Sequence, residues 1–271
     1  VSKKSFHVPS TIFGNALLTN LARVITKNNE LPELFHTLAA GDIIACRLRL
    51  KYEEEHLLLD LVERGVLLIP SATSQLASRS KTFQARLLAP YMIPQTVVIY
   101  DIHGLLDTVS LFGHHGVGEV VLKHDRKNAG LGIHLYRNIE DVYNQAANNS
   151  IPYPFVIQPF VADSRDIRVI ILDDYTEAYE RQNPDNFRNN LHCGGDAEVF
   201  QLNAAQLALC NAIMKRASFP YAHLDLMITE KNEVYLAEIN LRGGIRGAVI
   251  DPSSYQKKVE AIDKKLLLEK L

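Results

Sequence analysis

The sequence predicts a two-part mixed fold, with a small α/β unit at the amino-terminal end and a larger α+β body after it. Two rhythms carry this expectation. Over the first 70 residues, short apolar runs alternate with stretches of helical spacing, as in a βαβ unit. In the second half, strand-like runs outnumber helical ones. The 271 residues suit roughly two domains of about 100–150 residues each.

Taken in order, Leu17, Leu18, Leu21, Val24 and Ile25 follow helical spacing. DIIACRL (42–48) reads as a strand, and Leu57, Leu58, Leu61 and Val62 as a helix stopped by Gly65. VLLIP (66–70) is a short buried strand ended by Pro70. SQLASRSKTFQARLLA (74–89) reads as one helix with Pro90 just past its end. QTVVIYD (95–101) is a strand and GLLDTVSLF (104–112) a helix. EVVLKH (119–124) and GIHLY (132–136) are strands around a polar loop, and Asn138 is placed to cap a helix over 139–148. FVIQPF (155–160), DIRVIIL (166–172) and YTEAYER (175–181) read as strands, and NPDNFRNNLHCGG (183–195) as a long polar loop. Asn203 is placed to cap a helix reaching about Ser218, and a hairpin over 222–240 follows.

Composition removes several classes of function. Hydrophobic residues at 47% and charged residues at 22% match soluble globular chains. A net charge of −2 supplies no basic field for nucleic acid. Cys46, Cys193 and Cys210 have no CxxC spacing, so they form neither a disulfide framework nor a zinc pattern, and a reducing compartment is expected. No apolar run reaches about 18 residues. The expectation is a cytoplasmic protein without membrane or nucleic-acid partners.

The hairpin carries the first chemical signal. Leu224, Leu226 and Ile228 alternate with His223, Asp225 and Met227, so Asp225 points away from the leucine face. Glu238 and Asn240 are two apart and share a face. A two-residue turn at Lys231-Asn232 would set Glu230 opposite Glu233, Asp225 opposite Glu238, and His223 opposite Asn240. Carboxylates directly across a ladder lie about 5 Å apart at Cβ and repel. A shared proton or a cation would relieve them. Asp225, Glu238 and Asn240 offer three hard oxygens that suit Mg²⁺. A solvent-facing strand bearing surface acids would show the same alternation.

A second signal is Lys123 at a strand end, seven residues before Gly130-Leu131-Gly132. Such a loop can lie over phosphates with its N–H groups inward, and Lys123 can reach phosphate oxygens; an ordinary turn also fits. Neither a P-loop nor a dinucleotide fingerprint is present. Asp166 and Arg168 share a strand face, and a surface ion pair is one reading of them. Arg188, Asn190 and His192 lie in the polar loop. Arg242 and Arg246 flank Gly243-Gly244; they are either surface arginines or bidentate partners for a substrate carboxylate.

In order along the chain, these motifs resemble the ATP-grasp superfamily, most closely its RimK-type branch of ribosomal-protein glutamate ligases and related amino-acid ligases. FRNNLHCGG (187–195) is similar to that branch's FRxNLHxGG signature. RDIRVIIL (165–172) with YERQ (179–182) resembles its DIR strand and the strand after it. EIN (238–240) resembles its metal-binding Glu-hydrophobic-Asn, and RSKTFQARLLAPYMIPQT (79–96) its Lys-bearing helix. DRKNAGLG (125–132) is longer and bulkier than the family's usual phosphate loop. LRGGIRG (241–247) replaces its Ser-Pro-Gly turn near the acceptor substrate.

The resemblance implies an ATP-grasp fold in which two α+β lobes grip ATP. Residues 1–72 would be a preceding α/β domain, 73–158 the central and lid lobe, and 159–271 the carboxy-terminal lobe with the metal site. It implies ATP and Mg²⁺, or Mn²⁺, as cofactors. Lys81, Lys123, Gly130, Gly132, Asp166 and Arg188 would serve the nucleotide, with Gln158, Pro159 and Phe160 at the adenine edge. Asp225, Glu238 and Asn240 would hold metal. Arg188, Lys123 and Asn240 would act in catalysis, and Arg168, Asn190, Arg242 and Arg246 would bind substrate. The implied activity is amide formation between a carboxylate and an amine through an acylphosphate, using an amino acid such as glutamate. Partners would be an amino acid, a peptide or a protein carboxy terminus, and a homo-oligomer would fit the family. An inactive ATP-binding module and a small-molecule kinase are the competing readings.

Overall fold

The protein is described by a computed structural model that covers residues 22–127, 131–183 and 196–271. It divides into two compact units, Val1–Ala72 with Asp263–Leu271, and Thr73–Ile262.

The first unit holds a three-stranded parallel sheet of β1 (Val24–Ile25), β2 (Ile43–Ile44) and β3 (Leu67–Leu68). Short helices α1 (Leu31–Leu34) and α2 (Leu57–Glu63) connect them. Strands and helices alternate here, and the elements differ from the sequence reading at three points. The helix expected to reach Ile25 gives way to β1 at Val24; Leu17, Leu18 and Leu21 lie outside the described residues. The strand expected over 42–48 is only two residues long. The strand read over 66–70 is also only two residues long, with Leu67 39% exposed beside buried Val66 and Ile69. Asp42 ties the sheet's start to the following turn. Its carboxylate accepts from the Arg23 N–H and the Ala39 N–H, both at 2.9 Å, and from the Arg23 guanidinium.

The second unit begins with α3 (Ala72–Ala77) and α4 (Lys81–Leu87). One helix was expected here. It breaks because Ser80 takes extended backbone and its hydroxyl accepts from the Phe83 N–H, capping a new helix that starts at Lys81. A four-stranded antiparallel sheet follows, built from β4 (Val97–Ile99), β5 (Val120–His124), β6 (Ile133–Tyr136) and β7 (Phe155–Pro159) in the order β4-β7-β5-β6. Helices α5 (Ile102–His114) and α6 (Ile139–Ala147) close its core, packing Leu105, Phe112, Ile139 and Val142 against Ile99, Leu122, Phe155 and Ile157. Asp101 and Asn138 cap these helices through Gly104 and Asp141.

The second sheet has five antiparallel strands. They are β8 (Arg165–Leu172), β9 (Tyr175–Gln182), β10 (Asp196–Phe200), β11 (Tyr221–Ile228) and β12 (Val234–Asn240), in the order β10-β9-β8-β11-β12. Helix α7 (Ala204–Arg216), capped by Asn203 with Gln206 in a reciprocal pair, packs against β11. α8 (Pro252–Leu268) closes the chain. Neither β10 nor α8 is read from the sequence above, although Tyr255, Val259 and Ile262 are buried at helical spacing.

The hairpin differs from its predicted form in an instructive way. The ladder ends at Ile228–Val234, with a five-residue connection closed by Thr229 and Glu233, so Glu230 does not oppose Glu233. A bulge between Asp225 and Leu226 then moves the register by one, and Asp225 stands opposite Glu238 after all. No helix among the described residues is long and apolar enough to cross a membrane.

Candidate active site

Strand pairing lays polar side chains in rows across one face of the five-stranded sheet. One row runs Tyr179, Arg168, Asp225, Glu238; the next runs Glu177, Ile170, His223, Asn240. Asp166 and Arg181 pair across β8 and β9 in a third. Leu224, Leu226 and Ile228 occupy the opposite, buried face, so pleat alternation alone gathers the polar set.

Asp225 is 9% exposed, which excludes the reading of a surface acid. Arg168 donates to it twice, at 2.6 and 2.8 Å, and Arg181 lies 3.1 Å away. Burial by itself would raise the Asp225 pKa, but the Arg168 and Arg181 guanidiniums overcome it and hold the carboxyl well below the usual range. Asp166 pairs with Arg181 at 2.6 Å rather than with Arg168, which excludes the reading of the two as a surface ion pair. Burial pushes the Asp166 carboxyl up, against the pull of Arg181. The result is an alternating chain of charges, Asp166–Arg181–Asp225–Arg168, that fixes the floor of the site.

Two lysines come from outside this sheet. Gln84, 2% exposed, brings the first. Its side-chain amide donates to the Ile239 carbonyl at 2.9 Å and accepts from the Ile239 N–H at 3.0 Å. A side chain thus takes the place of a sixth strand on edge strand β12. Lys81, three residues earlier on α4, is thereby set beside Glu238, 3.1 Å from Oε1, and also donates to the Lys127 carbonyl at 2.7 Å. Lys123, next to last in β5, donates to the Ala237 carbonyl at 3.2 Å. Burial lowers its pKa to about 8; Glu238 opposes that shift and Lys81 adds to it. Lys81, Gln84, Lys123, Val156, Gln158 and Ala237 line a narrow cleft.

The loop after β5 is fastened at its base. Asp125 accepts from the Ser80 hydroxyl at 3.1 Å and the Thr82 N–H at 3.1 Å. A Cβ on Gly132 would come within 2.3 Å of Lys127 Cβ, so only glycine fits there. Of the segment Gln158-Pro159-Phe160, Gln158 is buried in the cleft wall, and the Phe160 N–H is committed to the Glu119 carbonyl at 2.9 Å. That N–H is therefore closed to a base edge. Arg242 and Arg246 are exposed on the loop after β12. Gly130, Arg188 and Asn190, with His192 and Cys193, lie outside the described residues.

The donor set fits a hard divalent cation. Asp225, Glu238 and Asn240 present oxygens on one face of two adjacent strands, the Asn240 amide has no hydrogen bond to another described residue, and the Lys81 ammonium stands at Glu238 where positive charge is needed. Among the described residues no cluster of three or more His, Cys, Asp or Glu forms a metal site. Sequence reasoning missed Arg181, Gln84 and Ser78, whose hydroxyl accepts from the Leu241 N–H at 2.9 Å.

A family model described as a RimK-like ATP-grasp domain matches residues 78–262. A probable alpha-L-glutamate ligase of Haemophilus ducreyi is 28% identical over 189 residues, 68% of this chain and 61% of that protein. A probable alpha-L-glutamate ligase of Aeromonas salmonicida is 24% identical over 180 residues, 63% of this chain and 58% of that protein. The chain thus spans about three fifths of the length of these curated relatives. Among solved structures, D-cycloserine synthetase DcsG matches with a TM-score of 0.61 and 14% identity over 83% of this chain and 84% of that one. VanG D-Ala:D-Ser ligase from Enterococcus faecalis matches with a TM-score of 0.56 and 13% identity, over 82% and 73%. At such identities the likeness shows the fold alone.

Proposed function

Because this chain belongs to the RimK-like ATP-grasp family and has the ATP-grasp fold, we propose that it is an ADP-forming ligase joining a carboxylate to an amine. The observation that carries this reading is the convergence of Lys81 and Lys123 on the face that presents Asp225, Glu238 and Asn240. Cations for phosphate stand beside oxygens for a divalent ion, and no nucleophilic side chain is needed.

ATP would lie in the cleft at Lys81 and Lys123. Burial strips the Lys123 ammonium of water, so phosphate oxygens would complement its charge. Lys81 would leave the Lys127 carbonyl for phosphate. Mg²⁺, held by Asp225, Glu238 and Asn240, would neutralise phosphate charge when bound. The substrate carboxylate attacks the γ-phosphorus, the bond to the β-phosphate oxygen breaks, and ADP leaves. The amine then attacks the acyl carbon, phosphate departs carrying the proton that the amine gives up, and an amide remains. Arg168 and Arg181 are locked to Asp225 and act by holding that carboxylate ionised and still, a preorganised field rather than a moving part. In this reading Gly130 and Gly132 belong to the phosphate loop, and Arg188 and Asn190 act on the transferred group and the substrate. An amino acid such as glutamate is the proposed substrate, in keeping with what the relatives are named for.

The test is ADP release in a panel of amino acids, L-glutamate included, and short peptides with ATP and Mg²⁺, followed by mass spectrometry. Release requiring both an acid and an amine, with an amide product, supports the ligase. Release with one substrate and a phosphorylated product indicates a kinase, and binding without turnover indicates a regulatory module.

A further inference from the structure

The segment that follows β12 crosses the sheet instead of leaving it. It starts at Asn240 on the edge strand and ends on β9, three strand spacings or about 14 Å away. Each stage of the crossing is held. The Leu241 N–H donates to Ser78. Gly243 lies so close to the sheet that a Cβ would meet His223 Nδ1 at 2.8 Å and Arg168 Nη1 at 3.1 Å. The Gly244 carbonyl accepts from Arg168 at 3.2 Å. At the far end one carboxylate takes two successive amides: the Val249 N–H donates to Glu177 Oε1 at 3.0 Å, and the Ile250 N–H to Oε2 at 3.1 Å. The Tyr175 hydroxyl donates to the same carboxylate.

Glu177 belongs to the row Glu177, Ile170, His223, Asn240, next to the row that contains Asp225 and Glu238. The strap therefore walls one end of the polar face, and it carries Arg242 and Arg246 exposed on its course. We propose that Glu177 is a positioning residue for the substrate end of the site. By anchoring the far end of the strap it fixes where Arg242 and Arg246 stand, and so tunes the binding of the acid or amine but not of ATP. This rests on the ligase reading above. A carboxylate suits the task because it accepts two diverging N–H groups at once, with a third bond from Tyr175 setting its rotamer.

The test compares the protein with E177Q. Glutamine keeps the shape but turns an NH₂ toward one of the two amides. Hydrogen exchange at Val249 and Ile250 is read first, and is expected to rise about tenfold or more. KM values follow, for ATP and for the acid and amine selected by the ADP-release panel. The substrate KM is expected to rise about tenfold, with the ATP KM within about twofold and the melting temperature nearly unchanged. Unchanged exchange would overturn the anchoring. Faster exchange with an unchanged substrate KM, or with the ATP KM rising in step, would overturn the positioning role while leaving the ligase intact. If the unaltered protein releases no ADP with any pair, the ligase reading fails and the substrate role fails with it, whereas exchange still reports the anchor.

Discussion

Asp225 and Glu238 face each other directly across β11 and β12, and each is offset by a different set of cations. Arg168 and Arg181 hold Asp225 from within the sheet, and Lys81 reaches Glu238 from α4. The two acids should therefore separate fold from function. In Asp225→Asn, the buried Arg168 loses both charge-assisted bonds and Arg181 loses one of its partners, which costs about 3–5 kcal/mol. In Glu238→Gln, the ion pair is single and the buried Lys81 keeps its bond to the Lys127 carbonyl, so the loss is smaller, about 1–2 kcal/mol. Both variants are expected to lower Mg²⁺-dependent turnover by about 10²-fold or more. Thermal unfolding beside ADP release checks this, and equal melting temperatures for the two would contradict the division of labour.

Gln84 makes a second prediction. In Gln84→Ala the buried Ile239 N–H and C=O lose their partner together, for about 2–4 kcal/mol. In Gln84→Glu the acceptor survives but the donor is lost and a charge enters a dry site, so the cost is larger still. Lys81 lies one turn earlier on the same helix, so the ATP KM should rise in both variants. Calorimetry and ATP titration measure the two effects. A stable Gln84→Ala protein with a normal ATP KM would show that the edge of β12 does not depend on this amide.

How far the sequence carried depends on the range of the interaction. Asn138 and Asn203 were legible as caps because a cap acts three residues away. The alternation placing Asp225, Glu238 and Asn240 on one face was legible because a pleat has period two. The register opposing Asp225 to Glu238 was reached through a wrong turn: the connection is longer than expected, and a bulge restores the count. Nothing local in the hairpin announces that bulge. Arg181 and Gln84 were not legible, since their partners lie 44 and 155 residues away and only tertiary packing joins them. The single helix expected over 74–89 failed for the same reason, because Asp125, from a distant loop, helps hold Ser80 at the break.

Gly132 gives a prediction about the loop. Its φ is not in the left-handed region, so the demand for glycine is one of space: a Cβ would lie 2.3 Å from Lys127 Cβ and 3.1 Å from His124 Cβ. Gly132→Ala must push Lys127 away and with it the carbonyl that holds Lys81. The ATP KM should rise at least about tenfold, while stability changes by no more than about 1 kcal/mol, since β6 is an edge strand. ATP binding by calorimetry and a melting curve test both halves, and unchanged affinity would mean that Lys127 yields without moving Lys81.

The amino-terminal unit yields a pH prediction independent of any ligand. The Arg23 guanidinium, with the backbone N–H groups of Arg23 and Ala39, holds the Asp42 carboxyl down at about 2, against the opposing effect of burial. The group is thus depressed from an unfolded value of 3.8, so its stabilisation is fully present above that value and is lost as pH falls toward 2. Arg23 is 34% exposed and water screens the pair, which limits the contribution to about 1–2 kcal/mol. Asp42→Asn should therefore melt below the parent by a constant margin between pH 5 and 7, and the margin should narrow from pH 4 to pH 3. Thermal unfolding across that range decides it: a margin that stays constant at pH 3 would show that Asp42 contributes through shape and neutral hydrogen bonds, not through its charge.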